Sequence, residues 1–308
     1  MKLIRNLAEV TAELRSGAVA IGNFDGVHLG HARIAQRLIA QAQLVHGPAV
    51  VLTFDPHPVR LLRPAEAPPP LTWTDRKAEL LSKLGVDCMI AYPTDEALLG
   101  LSAREFFDSI VREALDARAV VEGPNFFFGR GRQGTVEVLR QFTEESGLAL
   151  EVVEPVRVAG DVVSSSRIRQ LIAAGDVALA GSMLTEPYRI RGMVTHGAGR
   201  GNKIGFPTAN VYAIDTLLPA MGVYAGNAAV QGVAWPAAIN IGPNPTFAEQ
   251  SLKVEVHLIG FSGQLYGEPL EVDFRRRLRD IQTFAGVEEL KAQLRQDVLA
   301  AQSQENDG

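Results

Sequence analysis

Ile21-Gly22-Asn23-Phe24-Asp25-Gly26-Val27-His28-Leu29-Gly30-His31 is the stretch that decides how the first part of the chain folds. The apolar run Ala18–Ile21 leads into it as a buried strand, and an amphipathic segment from about Gly30 to Val45 leaves it as a helix. A strand, a glycine-rich loop and a helix in that order open a βα unit. The same grammar continues to about residue 180. Ala49–Phe54, Val86–Tyr92, Ala119–Val121 and Leu148–Val153 read as strands. Asp75–Leu84, Ala103–Leu115 and Thr135–Glu145 read as helices, followed by the shorter Ser166–Ala174 and Val177–Leu184. Alternation of this kind predicts a parallel sheet covered by helices on both faces, with ligands beyond the carboxyl ends of the strands. The opening stretch lies at such an end.

After about Glu186 the pattern changes. Tyr188–Val194, Val223–Val230, Val233–Ile241, Lys253–Ile259 and Leu270–Phe274 are strand-like, with Gly, Pro and Asn between them. In Lys253–Leu258 the residues alternate, Val254, Val256 and Leu258 on one face and Glu255 and His257 on the other. Closely spaced strands predict a small antiparallel barrel. A terminal helix follows, with Val287, Leu290, Leu294 and Val298 on one face. Pro64–Pro70 reads as a mobile loop and Gln302–Gly308 as a disordered tail. The fold class is thus α/β followed by a small β-barrel, with domains at 1–184 and 185–308.

Composition narrows the function. The chain has 308 residues, 46% hydrophobic and 21% charged, which suits two globular domains. A net charge of −5 argues against a role on nucleic-acid phosphates. The single cysteine, Cys88, allows no internal disulfide and no thiolate cluster, and its apolar flanks suit core filler. With no signal-peptide core and no apolar run near the length of a membrane span, the expected compartment is the cytoplasm, with no membrane partner. Nothing in the sequence fixes an oligomeric state.

The loop that ends in His28-Leu29-Gly30-His31 meets a helix N-terminus, where free N–H groups and the positive dipole end suit a phosphate. The histidines add donors, and the glycines let the backbone approach a nucleotide. The same string also fits two surface histidines or half a metal site. Ser164-Ser165-Ser166-Arg167-Ile168-Arg169 is the second half of the pattern: serines cap a helix, and two arginines suit β- and γ-phosphates. His57, between two prolines, fits a structural role. Phe126-Phe127-Phe128 fits core packing or a platform for a flat ring.

A second glycine-rich arch, His196-Gly197-Ala198-Gly199-Arg200-Gly201-Asn202-Lys203, precedes Gly205-Phe206-Pro207-Thr208-Ala209-Asn210. It lacks the lysine context of a Walker A loop and the glycine spacing of a dinucleotide fingerprint. Arg200 and Lys203 nevertheless suit phosphates, and Thr208 and Asn210 offer two oxygen ligands on one side of an extended segment. A plain hairpin connection fits these residues too.

The HxGH and serine–arginine motifs resemble the HxGH nucleotidyltransferase superfamily, whose fold is Rossmann-like. Gly205–Asn210, Pro219-Ala220-Met221-Gly222-Val223-Tyr224-Ala225, Asn240-Ile241-Gly242-Pro243-Asn244-Pro245-Thr246-Phe247 and Val254-Glu255-Val256-His257-Leu258 resemble, in order, the riboflavin kinase module. Together they resemble the prokaryotic bifunctional riboflavin kinase/FAD synthetases, over residues 15 to 298. The resemblance implies phosphorylation of riboflavin to FMN and adenylylation of FMN to FAD, with ATP as co-substrate and Mg²⁺ as cofactor. It implies that His28 and His31 are catalytic, and that Asn23, Phe24, Gly26, Asn125, Ser164, Ser165 and Arg167 bind nucleotide or flavin in the first domain. In the second it implies binding roles for Gly199, Arg200, Lys203 and Pro207, metal ligation by Thr208 and Asn210, and a general base at Glu255. Pro124-Asn125 and Asn244 depart from the usual acidic residue and arginine, which bears on flavin contacts. The rival readings are a single-activity adenylyltransferase, an aminoacyl-tRNA synthetase and a non-catalytic nucleotide sensor. The second glycine-rich site, the lack of a basic tRNA-binding domain and the unbroken polar motifs respectively disfavour them.

Overall fold

The computed structural model describes residues 1–197, 199–243 and 252–303. The chain forms two compact units, Met1–Pro68 with Trp73–Ser164, and Pro69–Thr72 with Ser165–Gly308.

In the first unit, strands β1 (Lys2–Ile4), β2 (Ala18–Ile21), β3 (Ala49–Asp55), β4 (Cys88–Pro93), β5 (Ala119–Glu122) and β6 (Ala149–Val152) form one parallel sheet. The order is β1-β4-β3-β2-β5-β6. Helices α1 (Leu29–Leu44), α2 (Val59–Leu62), α3 (Thr74–Lys83), α4 (Glu96–Gly100), α5 (Ala103–Phe106) and α6 (Val136–Ser146) connect the strands, and the 103–114 helix is π-helical over Phe107–Ala114. Burial on both faces explains why β2 to β5 read as continuous apolar runs. Successive residues feed opposite layers. Val19, Ile21, Val50 and Leu52 pack with Phe107, Ile110 and Phe142. Ala18, Ala20, Ala49 and Val51 pack with Leu38 and Leu81. Cys88 is part of this core, and burial pushes its thiol up to about 11. The short β1 escapes sequence reading because three residues carry too little periodicity.

From β2 the chain steps through β3 to β4, then returns to place β5 on the other side of β2. The crevice between β2 and β5 is therefore the switch point of the sheet, where α/β folds bind ligands. These strands pair at Ala18↔Ala119 and Val19↔Val120. At Ile21 a side chain takes over: the Glu122 carboxyl accepts the Ile21 N–H at 2.6 Å.

After a small hairpin, β7 (Arg157–Val158) and β8 (Asp161–Val162), the second unit takes up α7 (Ser165–Ala174) and α8 (Val177–Met183). Sequence grammar ties these helices to the first domain, yet they pack beside the barrel: Ala220 N–H donates to the Ile172 carbonyl at 3.2 Å. Pro69 and Pro70, the end of the loop read as mobile, belong with Leu71 and Thr72 to the same unit. Pro69 and Pro70 carbonyls accept from Arg169 Nε and Leu217 N–H, and Leu71 is fully buried.

The barrel is closed and antiparallel, β10-β13-β12-β11-β14-β9. Its strands are β9 (Tyr188–Thr195), β10 (Ala209–Tyr212), β11 (Gly222–Val230), β12 (Val233–Gly242), β13 (Lys253–Leu258) and β14 (Pro269–Arg279). β14 outruns its expected end at Phe274, because pairing with β11 continues through Arg276, Arg277 and Arg279 after the apolar alternation stops. One helical turn, α9 (Arg200–Lys203), precedes β10, and α10 (Val287–Gln302) closes the unit. Arg279 clasps the buried Asp297 of α10 through Nε and Nη2 at 3.0 and 2.8 Å. Among the described residues no helix is long and apolar enough to cross a membrane. Of the tail expected over Gln302–Gly308, Gln302 instead ends α10, and residues 304–308 lie outside the described residues.

Candidate active sites

In the first unit His28 is the N-cap of α1. Its Nδ1 accepts the His31 N–H at 3.2 Å, and His31 Nδ1 accepts the His28 N–H at 3.3 Å. This is a reciprocal capping box made by two imidazoles. The rings stack 3.6 Å apart, 13° from parallel. The intervening glycine makes this possible: a Cβ on Gly30 would lie 3.0 Å from His28 Cε1. A ring nitrogen that accepts carries no proton, so the network assigns both rings as Nε2–H tautomers. Burial lowers His28 to about 4, against the opposing pull of Asp25. Burial, then the charges of His28 and Lys77, hold His31 well below its ordinary value. Near neutral pH the helix start therefore offers two uncharged Nε2–H donors beside its own free N–H groups.

The loop feeding this cap bends through left-handed conformations at Phe24 (φ 47°), Gly26 (φ 86°) and Val27 (φ 39°). Phe24 is buried, its ring centroid 4.9 Å from that of His31. Asn23 Oδ1 is buried with no hydrogen-bond partner among the described residues, which costs about 1–3 kcal/mol until a donor arrives. The Asn23 carbonyl accepts from Lys77 Nζ at 2.6 Å and from the Thr53 hydroxyl at 3.0 Å. Asn125 is exposed on the loop after β5, across the switch point. Ser164 ends the first unit next to Val163, whose carbonyl lies 3.8 Å from a Cβ built on Gly30. Ser165 and Arg167 stand on the first turn of α7 in the second unit. His57 Nδ1 accepts the Val59 N–H at 3.2 Å. The phenylalanines divide: Phe128 is core, Phe126 packs against it, and Phe127 is exposed under the Arg132 guanidinium at 4.1 Å.

Sequence reading passed over Lys77 and Glu122. Both carried a signal, a charge inside an apolar pattern: Lys77 shares a helix face with Leu81 and Leu84, and Glu122 closes the run Ala119–Val121. Burial holds the Glu122 carboxyl well above the ordinary range, against the lowering effect of the Ile21 N–H. The unfolded chain ionises it near the usual value, so its contribution to stability is complete below that point and is lost as pH rises toward the folded value. Glu122→Gln cannot ionise. Its stability relative to the parent should therefore rise between pH 5 and 8, by up to about 1.4 kcal/mol per pH unit. Urea unfolding at the two pH values checks this, and an unchanged difference would contradict it.

In the second unit a cavity of about 490 Å³ lies between the outer face of the barrel and α10. Val254 and Val256 are buried away from the cavity, leaving Glu255 and His257 on the cavity side. Glu255 sits opposite Asn210 on β10 and Asn240 on β12, so three polar side chains form one cross-strand row. His257 Nδ1 lies 2.7 Å from the Pro207 carbonyl and, since a carbonyl only accepts, donates to it. The bond tethers the segment that carries Thr208 and Asn210. Gly197 leaves room for the Asn210 amide: a Cβ there would fall 2.2 Å from Nδ2. Leu290, Leu294 and Val298 supply an apolar wall from α10. Gly199 and Pro207 line the cavity, whereas Lys203 is exposed and outside its lining. The Arg200 side chain, Ala198 and Asn244–Phe247 lie outside the described residues. Asn240, the one row member given no role from sequence, lay inside a motif quoted for resemblance alone.

A model of the FAD synthetase family matches residues 10–167, and one of the riboflavin kinase family matches residues 184–304. The bifunctional riboflavin kinase/FMN adenylyltransferase of Pseudomonas fluorescens is 37% identical over 98% of this chain and 97% of its own. The protein of the same name from Escherichia coli K12 is 36% identical over the same shares. A crystal structure described as a macrolide-efflux protein from Streptococcus pneumoniae is 30% identical, with a TM-score of 0.86 over 97% of this chain and 98% of its own. The chain belongs to the bifunctional riboflavin kinase/FMN adenylyltransferase family, which phosphorylates riboflavin to FMN and adenylylates FMN to FAD, with ATP as co-substrate in both steps.

Proposed function

We propose that adenylylation runs over the Asn23–His31 loop and phosphorylation in the cavity beside β13. The observation that carries the first assignment is the reciprocal His28–His31 cap, which leaves two neutral donors at a helix N-terminus. An FMN phosphate oxygen attacks the α-phosphorus of ATP, the bond to the bridging oxygen breaks, and pyrophosphate leaves. His28 and His31 donate through Nε2–H to the phosphate oxygens on which charge builds, so neither is a nucleophile. Asn23, Phe24, Gly26, Asn125, Ser164, Ser165 and Arg167 complete the binding of nucleotide and flavin in this reading. The unpaired Asn23 Oδ1 suits a donor on the incoming ligand.

In the kinase cavity the terminal ribityl hydroxyl attacks the γ-phosphorus, its proton passes to Glu255, and ADP leaves. Gly199, Arg200, Lys203 and Pro207 form the arch over the phosphates. Thr208 and Asn210 fit Mg²⁺: they are neutral oxygen donors close together at the cavity, and Mg²⁺ keeps most of its shell as water and phosphate. Bound there, the ion would neutralise phosphate charge. Both reactions consume ATP, which together with the lone buried cysteine supports the cytoplasm as the working compartment.

The metal assignment has a direct test. Thr208→Ala and Asn210→Ala should each raise the Mg²⁺ concentration needed for half-maximal FMN production by roughly 10-fold or more. Adenylylation of supplied FMN should keep its own metal dependence. An unchanged Mg²⁺ titration of the kinase in both variants removes these residues from the metal shell.

A further inference from the structure

Lys77 is an expensive residue for stability. It sits on α3, and the whole residue is 8% exposed. Taking an ammonium out of water costs several kcal/mol unless neighbours compensate. Its Nζ donates to the Asn23 carbonyl at 2.6 Å and to Thr53 Oγ1 at 3.2 Å, while the Thr53 hydroxyl donates to that same carbonyl at 3.0 Å. A helix and strand β3 thus converge on one backbone oxygen of the loop. Desolvation lowers the ammonium pKa, and Asp25 and Asp55 oppose that.

The clamped oxygen is well placed to matter. Asn23 opens the run in which Phe24, Gly26 and Val27 take left-handed conformations. For a β-branched valine this is strained, and such strain persists only where the surroundings over-determine it. The run ends at His28, and Phe24 carries the loop's shape to the His31 ring. The positive charge of Lys77 also acts on His31 in the direction that keeps it neutral, alongside the stacked His28.

We propose that Lys77 is a positioning residue of the adenylyl-transfer site, its ammonium fixing the Asn23 carbonyl and so the loop that aims His28 and His31 at the nucleotide phosphates. The inference rests on the reading that this loop is where FMN is adenylylated. A reacting group displaced by about 1 Å costs on the order of 10²-fold in rate. In the full chain, Lys77→Met should lower kcat for adenylylation of supplied FMN by about 10²-fold, with the KM for ATP changed by less than about 3-fold. Thr53→Val, which removes one of the two donors, should cost about 10-fold. Riboflavin phosphorylation by the same preparations should stay within about 2-fold of the parent.

Thermal unfolding separates positioning from packing. The Lys77→Met chain removes the counter-charge of the buried Asp25 and should unfold below the parent temperature, so kcat is read at a temperature where the variant is fully folded. Full kcat in folded Lys77→Met, or a kcat loss no larger than the unfolded fraction at the assay temperature accounts for, overturns the proposal. If Lys77→Met yields no folded protein, Thr53→Val decides: a loss of about 10-fold supports the clamp and a loss under 2-fold overturns it. His31→Ala runs alongside. FAD formation surviving in that variant would refute the site itself, whereas survival in Lys77→Met alone refutes only the clamp.

Discussion

Replacing His28 and His31 together by alanine is expected to end FAD formation while the same chain still converts riboflavin to FMN at its normal rate. The rings cap α1 through Nδ1, and in the proposed site their Nε2–H groups are the donors to the reacting phosphates. Loss of one donor to a developing oxyanion costs roughly 10²–10³-fold. Loss of both should cost ~10⁴-fold or more, with the effects not simply additive. The structural cost is smaller, about 1–2 kcal/mol for a lost N-cap, so the first unit should remain folded. Supplying FMN and ATP and resolving FAD by chromatography measures the step directly. FAD formation within tenfold of the parent would mean that these donors do not face the reaction.

Glu255→Gln should produce the reciprocal defect. Glu255 is the one carboxylate of its strand, placed between Asn210 and Asn240 in the wall of the cavity proposed for the kinase step. A primary alcohol is a poor nucleophile near neutral pH, and a positioned base contributes about 10²–10⁴-fold. Phosphoryl transfer through a loose transition state asks less of that base, which favours the lower half of the range. Kinase kcat should therefore fall by about 10²-fold or more, with riboflavin binding kept because the amide preserves size and polarity. Adenylylation of supplied FMN should be unaffected, an internal control for folding. Turnover within a few-fold of the parent would reduce Glu255 to a solvated strand residue.

The features legible in the sequence are those governed by local pattern. Continuous apolar runs marked β2 to β5, and strict alternation marked β13, because burial on two faces or one imposes those periods. The His-x-Gly-His string marked the start of α1 through local chemistry. Its tautomers did not follow, since they depend on two rings folding back onto each other across Gly30. The sequence reading makes the segment around Asn210 extended but leaves a hairpin connection open, and only pairing with β9 and β13 makes it the strand β10. Lys77 and Glu122 were missed for a related reason. Each is a charge whose partner is a backbone group brought near by sheet topology, and no spacing along the chain encodes that meeting. Asn240 joined the candidate site only through the register of β12 on β13.

The central claim is that two separate sites in one chain carry the two steps. The most direct test mixes the His28→Ala/His31→Ala chain with the Glu255→Gln chain in one tube with riboflavin, ATP and Mg²⁺. The account predicts that the histidine variant alone stops at FMN, that the glutamine variant alone makes little of either product, and that the mixture makes FAD at a rate near the parent's. FAD from the histidine variant by itself, or a mixture that still stops at FMN, would contradict it.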